Sequence, residues 1–437
     1  MTGNTRSTSR PTASPTARAG GARASGARAS GARASARYIG IDLARFLAVI
    51  GMMANHLVAI GSGDPTASLL DQRASEIATT MTSGIAAALF AVLGGVSAVF
   101  ASRRALAAGR TGAAIAAIMI RGVVLIVLGL ALGALLTPII VVLAYYGVAL
   151  ILVSVFIAAR SWVIALSAGV LWIAGGPLNA LARQALEMVN EAGSPSFETI
   201  AAEPLETVRG LLLTGAYPAI TWVAYLLVGM LIARALVAAN ERGRLSRTAL
   251  GLAALGTGIA VVATLVSNWT LANLARFGIS APEGLDMATF VEFISGQQFG
   301  APNSPELWAQ LVAAPHSGTP VEMLRTVGIS LAVIGLLVTL FDSRGGAPGR
   351  ITDVFRAAGA APLTIYTLHI IATSLVYAPI YAGAEFSEGT PWYVVGLGAF
   401  GVQLAGVLVL GVILSALKRR GPLEALTSGI ARTITRT

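Results

Sequence analysis

Three histidines are the only imidazoles in this 437-residue chain, and one of them, His56, ends a segment whose polar spacing could do chemistry. The segment reads Tyr38-Ile-Gly-Ile-Asp42-Leu-Ala-Arg45-Phe-Leu-Ala-Val-Ile-Gly-Met-Met-Ala-Asn55-His56. As a helix it puts Asp42 and Arg45 on one face, three residues apart and able to pair. His56 follows Arg45 by eleven residues. That is about three turns, so it lies on nearly the same face roughly 16 Å further along. A guanidinium at one end suits phosphate, which it grips with charge-assisted hydrogen bonds. An imidazole at the other end, with the Asn55 amide beside it, suits proton abstraction near neutral pH. The plainer alternative is a neutralised ion pair near one membrane interface and a snorkelling histidine near the other.

The remaining candidates are scattered. His316 sits in the loop Pro315-His-Ser-Gly-Thr319 and reads either as a second proton-transfer group or as a solvated loop histidine. His369 lies one helical turn past Tyr366 within an apolar run, where both are either site components or hydrogen-bonded core residues. Arg103 and Arg104 end an apolar run, whereas Arg121 lies about nine residues inside the next, too deep for an ordinary flank. With Asp42 and Arg45, these arginines form the candidate anion-binding set. No His-x-x-x-His, Glu-x-x-His or carboxylate cluster suggests a metal, and without cysteine there is no disulfide, thiolate ligand or thiol nucleophile. Gly345-Gly-Ala-Pro-Gly349 reads as a turn, because no strand precedes it as a phosphate loop requires.

The elements that must carry these residues follow from composition. The chain is 55% hydrophobic and only 11% charged, with mean hydropathy +0.77. Soluble domains carry about 25% charged residues to cover their surface. Lipid is therefore the solvent for most of this chain, and apolar runs near the ~20 residues of a spanning helix recur, without the alternation of barrel strands. The expectation is an all-α, polytopic transmembrane bundle of about ten helices, over 38–60, 76–101, 112–135, 139–158, 162–179, 211–235, 248–270, 323–341, 356–380 and 392–416. In lipid a charge within a helix costs at least about 2.5–3.5 kcal/mol, which makes the polar groups above functional candidates.

Charge placement sets the expected organisation. The net charge of +10 does not read as nucleic-acid binding: seven arginines lie within residues 1–37 without an acid, and most others flank apolar runs. Basic loops (Arg103, Arg104 and Arg110; Arg160; Arg242, Arg244 and Arg247; Arg344 and Arg350; Lys418, Arg419 and Arg420) alternate with acidic ones (Asp64 and Asp71; Glu187 to Glu206; Glu283, Asp286 and Glu306; Glu385 and Glu388). The positive-inside rule then puts both termini in the cytoplasm. Residues 1–36, with three copies of Gly-Ala-Arg-Ala-Ser, are expected to be a disordered basic tail without a cleavable leader. Residues 37–424 form the membrane domain and 425–437 a cytoplasmic tail. Arginine dominates over lysine, of which Lys418 is the only one. With the Ala and Gly content, that matches a GC-rich bacterial genome and hence a multi-pass protein of a bacterial inner (plasma) membrane.

Asp42-x-x-Arg45, an apolar stretch and then His56 resembles the first-helix signature of membrane-bound acyltransferases. The sequence is most similar to bacterial proteins akin to heparan-α-glucosaminide N-acetyltransferase, and more distantly to the acyltransferase-3 group. The likeness continues through Ala88-Leu-Phe-Ala-Val-Leu-Gly-Gly-Val-Ser97, Ala144-Tyr-Tyr-Gly147 and Leu213-Thr-Gly-Ala-Tyr-Pro-Ala-Ile-Thr-Trp222. It runs on through Pro315 to Thr319, Pro362-Leu-Thr-Ile-Tyr-Thr-Leu-His369 and Gly421-Pro-Leu-Glu424. The resemblance implies transfer of an acetyl (acyl) group from cytoplasmic acetyl-CoA to an amine or hydroxyl of an extracytoplasmic glycan or other envelope acceptor. Asp42, Arg45, Arg103, Arg104 and Arg121 would serve the donor, and His56, Asn55 and His316 the chemistry. The expected partners are membrane lipid and that acceptor, in a chain compatible with a homodimer. Two rival readings use the same intramembrane polar groups: a transporter or flippase, which inverted repeats would favour, and a non-catalytic membrane scaffold. No convincing internal repeat of large period is present.

Overall fold

The helices form where the apolar runs lie, and their ends are set by groups that satisfy backbone N–H donors which lipid cannot. The structure, a computed structural model, describes residues 1–4, 38–59, 68–186, 193–343, 348–383 and 391–435. Most of the expected basic tail (5–36), most of the Gly345–Gly349 turn, and Asp64, Glu187, Glu191, Arg344, Glu385 and Glu388 lie outside the described residues. The first helix, α1 (Ile39–Leu57), begins where the Ile39 and Gly40 amides donate to the Asp342 carboxylate at 2.7 and 2.8 Å. Asp342 itself ends a helix some 300 residues later, so the start of α1 is capped from a distance.

After α1 come α2 (Leu69–Thr82), α3 (Ile85–Ala107), α4 (Thr111–Gly133), the short α5 (Leu143–Ser154) and α6 (Ser161–Ala185). Then follow α7 (Ala219–Glu241), α8 (Leu245–Ala272), α9 (Pro320–Phe341), α10 (Arg350–Gly359), α11 (Pro362–Tyr381), α12 (Gly396–Leu417) and α13 (Pro422–Thr435). Residues from Ile39 onward form one compact unit. Among the described residues, nine helices are long and apolar enough to cross a membrane, with α5 a tenth, shorter apolar helix.

Four expected spans differ in detail, each for a local reason, and that over 356–380 is broken at Ala360 and Ala361, ahead of Pro362, where α10 ends and α11 begins. The run expected from 76 is divided at Gly84, whose φ of +73° leaves the helical region, so α3 starts at Ile85. The run 139–158 is helical for only 12 residues. At 1.5 Å per residue that is about 18 Å, short of the ~30 Å hydrocarbon thickness. The run 211–235 begins with a π-helical turn over Gly210–Thr214 and a loop, and α7 starts only after Pro218. The stretch from 425 is largely helical, as part of α13. There Glu424 reaches back to cap α11, accepting from the Leu363 and Thr364 amides at 2.6 and 3.1 Å and from the Thr364 hydroxyl at 2.7 Å.

Burial separates core helices from lipid-facing ones. The most apolar stretch within Leu69–Ala107 is 72% buried and that of α7 67%, against 17% for α8. The two central helices touch backbone to backbone: a Cβ on Gly95 would meet the Leu226 carbonyl oxygen at 1.9 Å, and one on Gly229 the Val92 carbonyl oxygen at 1.9 Å. Without a hydrophobic force between helices in lipid, such close approach supplies the packing. The segment between α8 and α9 has a small core of its own, in which Leu274, Ile294, Trp308 and Val312 are buried.

Candidate functional site

The polar stripe of α1 separates into two regions, as its spacing requires. In the first turn Asp42 is fully buried and pairs with Arg45 at 2.5 Å. Arg45 also donates to the Ser97 hydroxyl of α3 at 3.0 Å, and Arg356 of α10 lies 4.0 Å from the other Asp42 oxygen. A Cβ on Gly359 would strike the Asp42 carbonyl oxygen at 1.9 Å, so α10 can approach this pair only through a glycine.

The last turn carries Asn55 and His56. The His56 Nδ1 lies 3.1 Å from Nε2 of His369, and the His369 Nδ1 lies 2.6 Å from Oε1 of Gln403 on α12. The two imidazoles are nearly coplanar (4°) with centroids 5.3 Å apart. Together with the nitrogen–nitrogen distance, that is edge-to-edge geometry, an in-plane hydrogen bond and not a face stack. Gln403 Nε2 donates to the Thr373 hydroxyl at 3.3 Å, which turns the amide oxygen toward His369. In this orientation His369 Nδ1 carries a proton and its Nε2 accepts from Nδ1–H of His56. The lone pair of His56 is then on Nε2. Asn55 accepts from the Ser83 hydroxyl at 2.8 Å.

His56 and Asn55 line a cavity of about 360 Å³ together with Tyr217, His316 and Tyr366. The structure thus brings the sequence-proposed His56, Asn55 and His316 to one space. Tyr366 borders it too, its hydroxyl accepting from the Val142 amide at 3.2 Å. His316 packs edge-on against Tyr217, ring centroids 5.4 Å apart. Burial pushes its imidazole down to about 4, so it is neutral at pH 7, and raises the Tyr217 phenol to about 12.

A larger space of about 670 Å³ is lined by Ser97, Arg121, Tyr146, Leu363 and Thr427. Its neighbours include Arg45, through Ser97. Leu143 and Tyr146 face this larger space while Ile140 and Val142 face the smaller one, so the start of α5 forms the partition. Arg121 feels the positive charges of Arg420 and Arg432 nearby, a cluster completed by the C-terminal helix. Arg103 and Arg104 stand apart from it. They lie two turns beyond Ser97 on the protein surface, with Arg103 3.4 Å from Glu241. Among the described residues no group of three or more potential metal ligands occurs.

Sequence reasoning missed Gln403, Arg432 and the contact between His56 and His369. Gln403 did carry a signal, as an amide in the middle of an otherwise apolar helix. Arg432 had none, because its region looked like a tail.

A bundle of membrane-crossing helices, with a part-buried histidine pair in hydrogen-bond contact and a separate, mainly apolar cavity that Arg121 borders, defines a polytopic membrane protein. The chain is a member of a specific family: residues 37–266, more than half its length, match heparan-alpha-glucosaminide N-acetyltransferase, catalytic. Membership makes it a membrane transferase of the acetyltransferase type. No individual curated protein matches it significantly.

Proposed function

We propose that the protein moves an acetyl or other acyl group from an acyl-CoA bound at the Arg45 end of α1 to an amine or hydroxyl of an envelope glycan or similar acceptor at the His56 end. The observation that carries this reading is the chain from Gln403 through His369 to His56, which holds His56 in the tautomer with Nε2 free to accept a proton. The acceptor oxygen or nitrogen attacks the thioester carbonyl carbon as its proton passes to His56 Nε2. The carbon–sulfur bond breaks, and the CoA sulfur leaves and takes that proton. The His369 Nε2 lone pair stabilises the intervening imidazolium. Neutral His316 contacts the acceptor, and the Asn55 amide N–H is the donor at hand for the developing oxyanion.

Donor placement is supported by cations and an apolar space in sequence. Arg121, Arg420 and Arg432 suit the nucleotide phosphates, and the larger cavity suits the pantetheine arm. An arm reaching on the order of 15–20 Å would carry the thioester past the first turn of α5, along about three turns of helix. With the basic loops inside, the donor side is cytoplasmic and the acceptor side external, in the inner membrane of a bacterium.

The test is whether detergent-purified protein binds acetyl-CoA and releases free CoA slowly, faster when amine or hydroxyl acceptors are added. Failure to bind acetyl-CoA would overturn the reading.

A further inference from the structure

One buried carboxylate has no part in the chemistry above. Glu322, in the first turn of α9, is 2% exposed. Its carboxylate accepts from the Tyr225 hydroxyl of α7 at 3.0 Å. The Tyr225 oxygen is also 3.0 Å from Oγ1 of Thr326, which donates to the Glu322 carbonyl at 3.0 Å. Glu322 and Tyr225 line a cavity of about 310 Å³ together with His316 and Gly318. His316 is therefore shared between this cavity and the one that holds His56.

The backbone at His316 shows why the loop must be anchored. His316 has φ +60°, a left-handed conformation that residues with a Cβ avoid and that persists only where the surroundings over-determine it. Gly318 is left-handed as well, at +66°. The loop is pinned on one side by the Gln298 and Gly300 amides, which donate to the Pro315 and His316 carbonyls at 2.8 and 2.9 Å. Thr319 ties its end, donating to the Val312 carbonyl at 2.7 Å. Glu322 supplies the remaining anchor: its amide donates to the Thr319 hydroxyl at 3.0 Å, and its carboxylate takes the Tyr225 hydroxyl, tying the first turn of α9 to α7.

We propose that Glu322 is a positioning residue: bonded to Tyr225, it ties the first turn of α9 to α7 and so fixes the 315–319 loop that leads into that turn, with His316 bordering the acceptor space. This rests on the acyl-transfer reading only for the purpose of His316, not for its placement. The decisive experiment uses the composition of the chain. With three histidines, protein labelled with ¹⁵N-histidine gives three sets of ring signals in micelles, and His316→Ala identifies one. Glu322→Ala should shift or split the His316 signals and leave those of His56 and His369 in place. Glu322→Gln, which keeps an acceptor for the Tyr225 hydroxyl, should restore them largely. In turnover assays Glu322→Ala should raise the acceptor KM about tenfold without altering acetyl-CoA affinity, and should add nothing in a His316→Ala background. Unchanged His316 signals in Glu322→Ala, or equal shifts at all three histidines, would overturn the proposal. Should Glu322→Ala fail to fold, Tyr225→Phe and Glu322→Gln carry the same test, and identical His316 signals in both would sink it. A protein without transferase activity that still shows the selective shift would remove the acyl-transfer reading and keep the positioning role.

Discussion

The two ends of α1 solve the problem of polarity in lipid in opposite ways. At the Asp42 end acidic and basic side chains face each other: Asp42 lies between Arg45 and Arg356, and Asp342 caps the helix. At the His56 end, about three turns beyond Arg45, the polar groups are satisfied by hydrogen bonds that run His56, His369, Gln403, Thr373. Ionised groups bind an anionic ligand but are costly deep in hydrocarbon. Neutral imidazoles keep a lone pair available without that penalty. The difference argues for a division of labour, with anchoring at one end and proton transfer at the other.

The largest expected effect concerns which end faces which compartment. Ser246→Cys, in the first turn of α8 beside the basic loop that follows α7, should be shielded from an impermeant thiol reagent in intact cells, whereas Glu283→Cys, beyond α8, should be labelled. Both positions are exposed and the chain has no native cysteine to confuse the result. Labelling in the reverse pattern would put the Arg45 end outside and end the assignment of donor to cytoplasm.

Next in size is the loss of the base. A positioned general base contributes about 10²–10⁴-fold, so His56→Ala should lose roughly that much kcat while acetyl-CoA affinity, measured by calorimetry, stays near wild type. His316→Ala should lose less. If His316→Ala were inactive and His56→Ala nearly normal, the proton-transfer role would belong to the loop instead of α1.

At the other end the effect should appear in binding and spare the chemical step. A hydrogen bond to a charged group contributes about 1.5–3 kcal/mol, so Arg121→Ala should weaken acetyl-CoA binding about 10- to 100-fold. The kcat at saturating donor should stay within a few-fold of wild type. Arg103→Ala, on the surface against Glu241, should do almost nothing. Equal losses in the two variants would mean that general surface charge, and not the cavity beside Arg121, attracts the donor.

The same division explains what the sequence could disclose. Helix spacing along one element was legible, so the pairing of Asp42 with Arg45 and the stripe ending at His56 could be read from residue numbers alone. Apolar run lengths likewise placed most spans. Contacts between elements were not legible, because they depend on which helix faces approach: His56 meets His369 across 313 positions. Backbone conformation hid the rest. The division of α2 from α3 hangs on one left-handed glycine, Gly84. Glu322 fell at the edge of an expected span and drew no notice, though the structure buries it wholly.

The smallest effect is the most specific to the geometry. Gln403 touches neither cavity and should act only through the tautomer of His369. Gln403→Leu is close in size, but it removes the oxygen that accepts from His369 Nδ1–H. Without it His369 is free to carry its proton on Nε2, which would then donate to His56 Nδ1 and leave the His56 proton on Nε2, the wrong nitrogen for a base. The two neutral arrangements differ by about one hydrogen bond, a net 0.5–1.5 kcal/mol, so kcat should fall by a factor of order ten and not by the full contribution of the base. Acetyl-CoA affinity should not change. Gln403→Glu, which keeps an acceptor at that place, should restore most of the rate, whereas His369→Ala should abolish any further effect of Gln403→Leu. A Gln403→Leu enzyme with wild-type kcat would show that His56 keeps its tautomer without help, and His369 would then be a packing residue of the core.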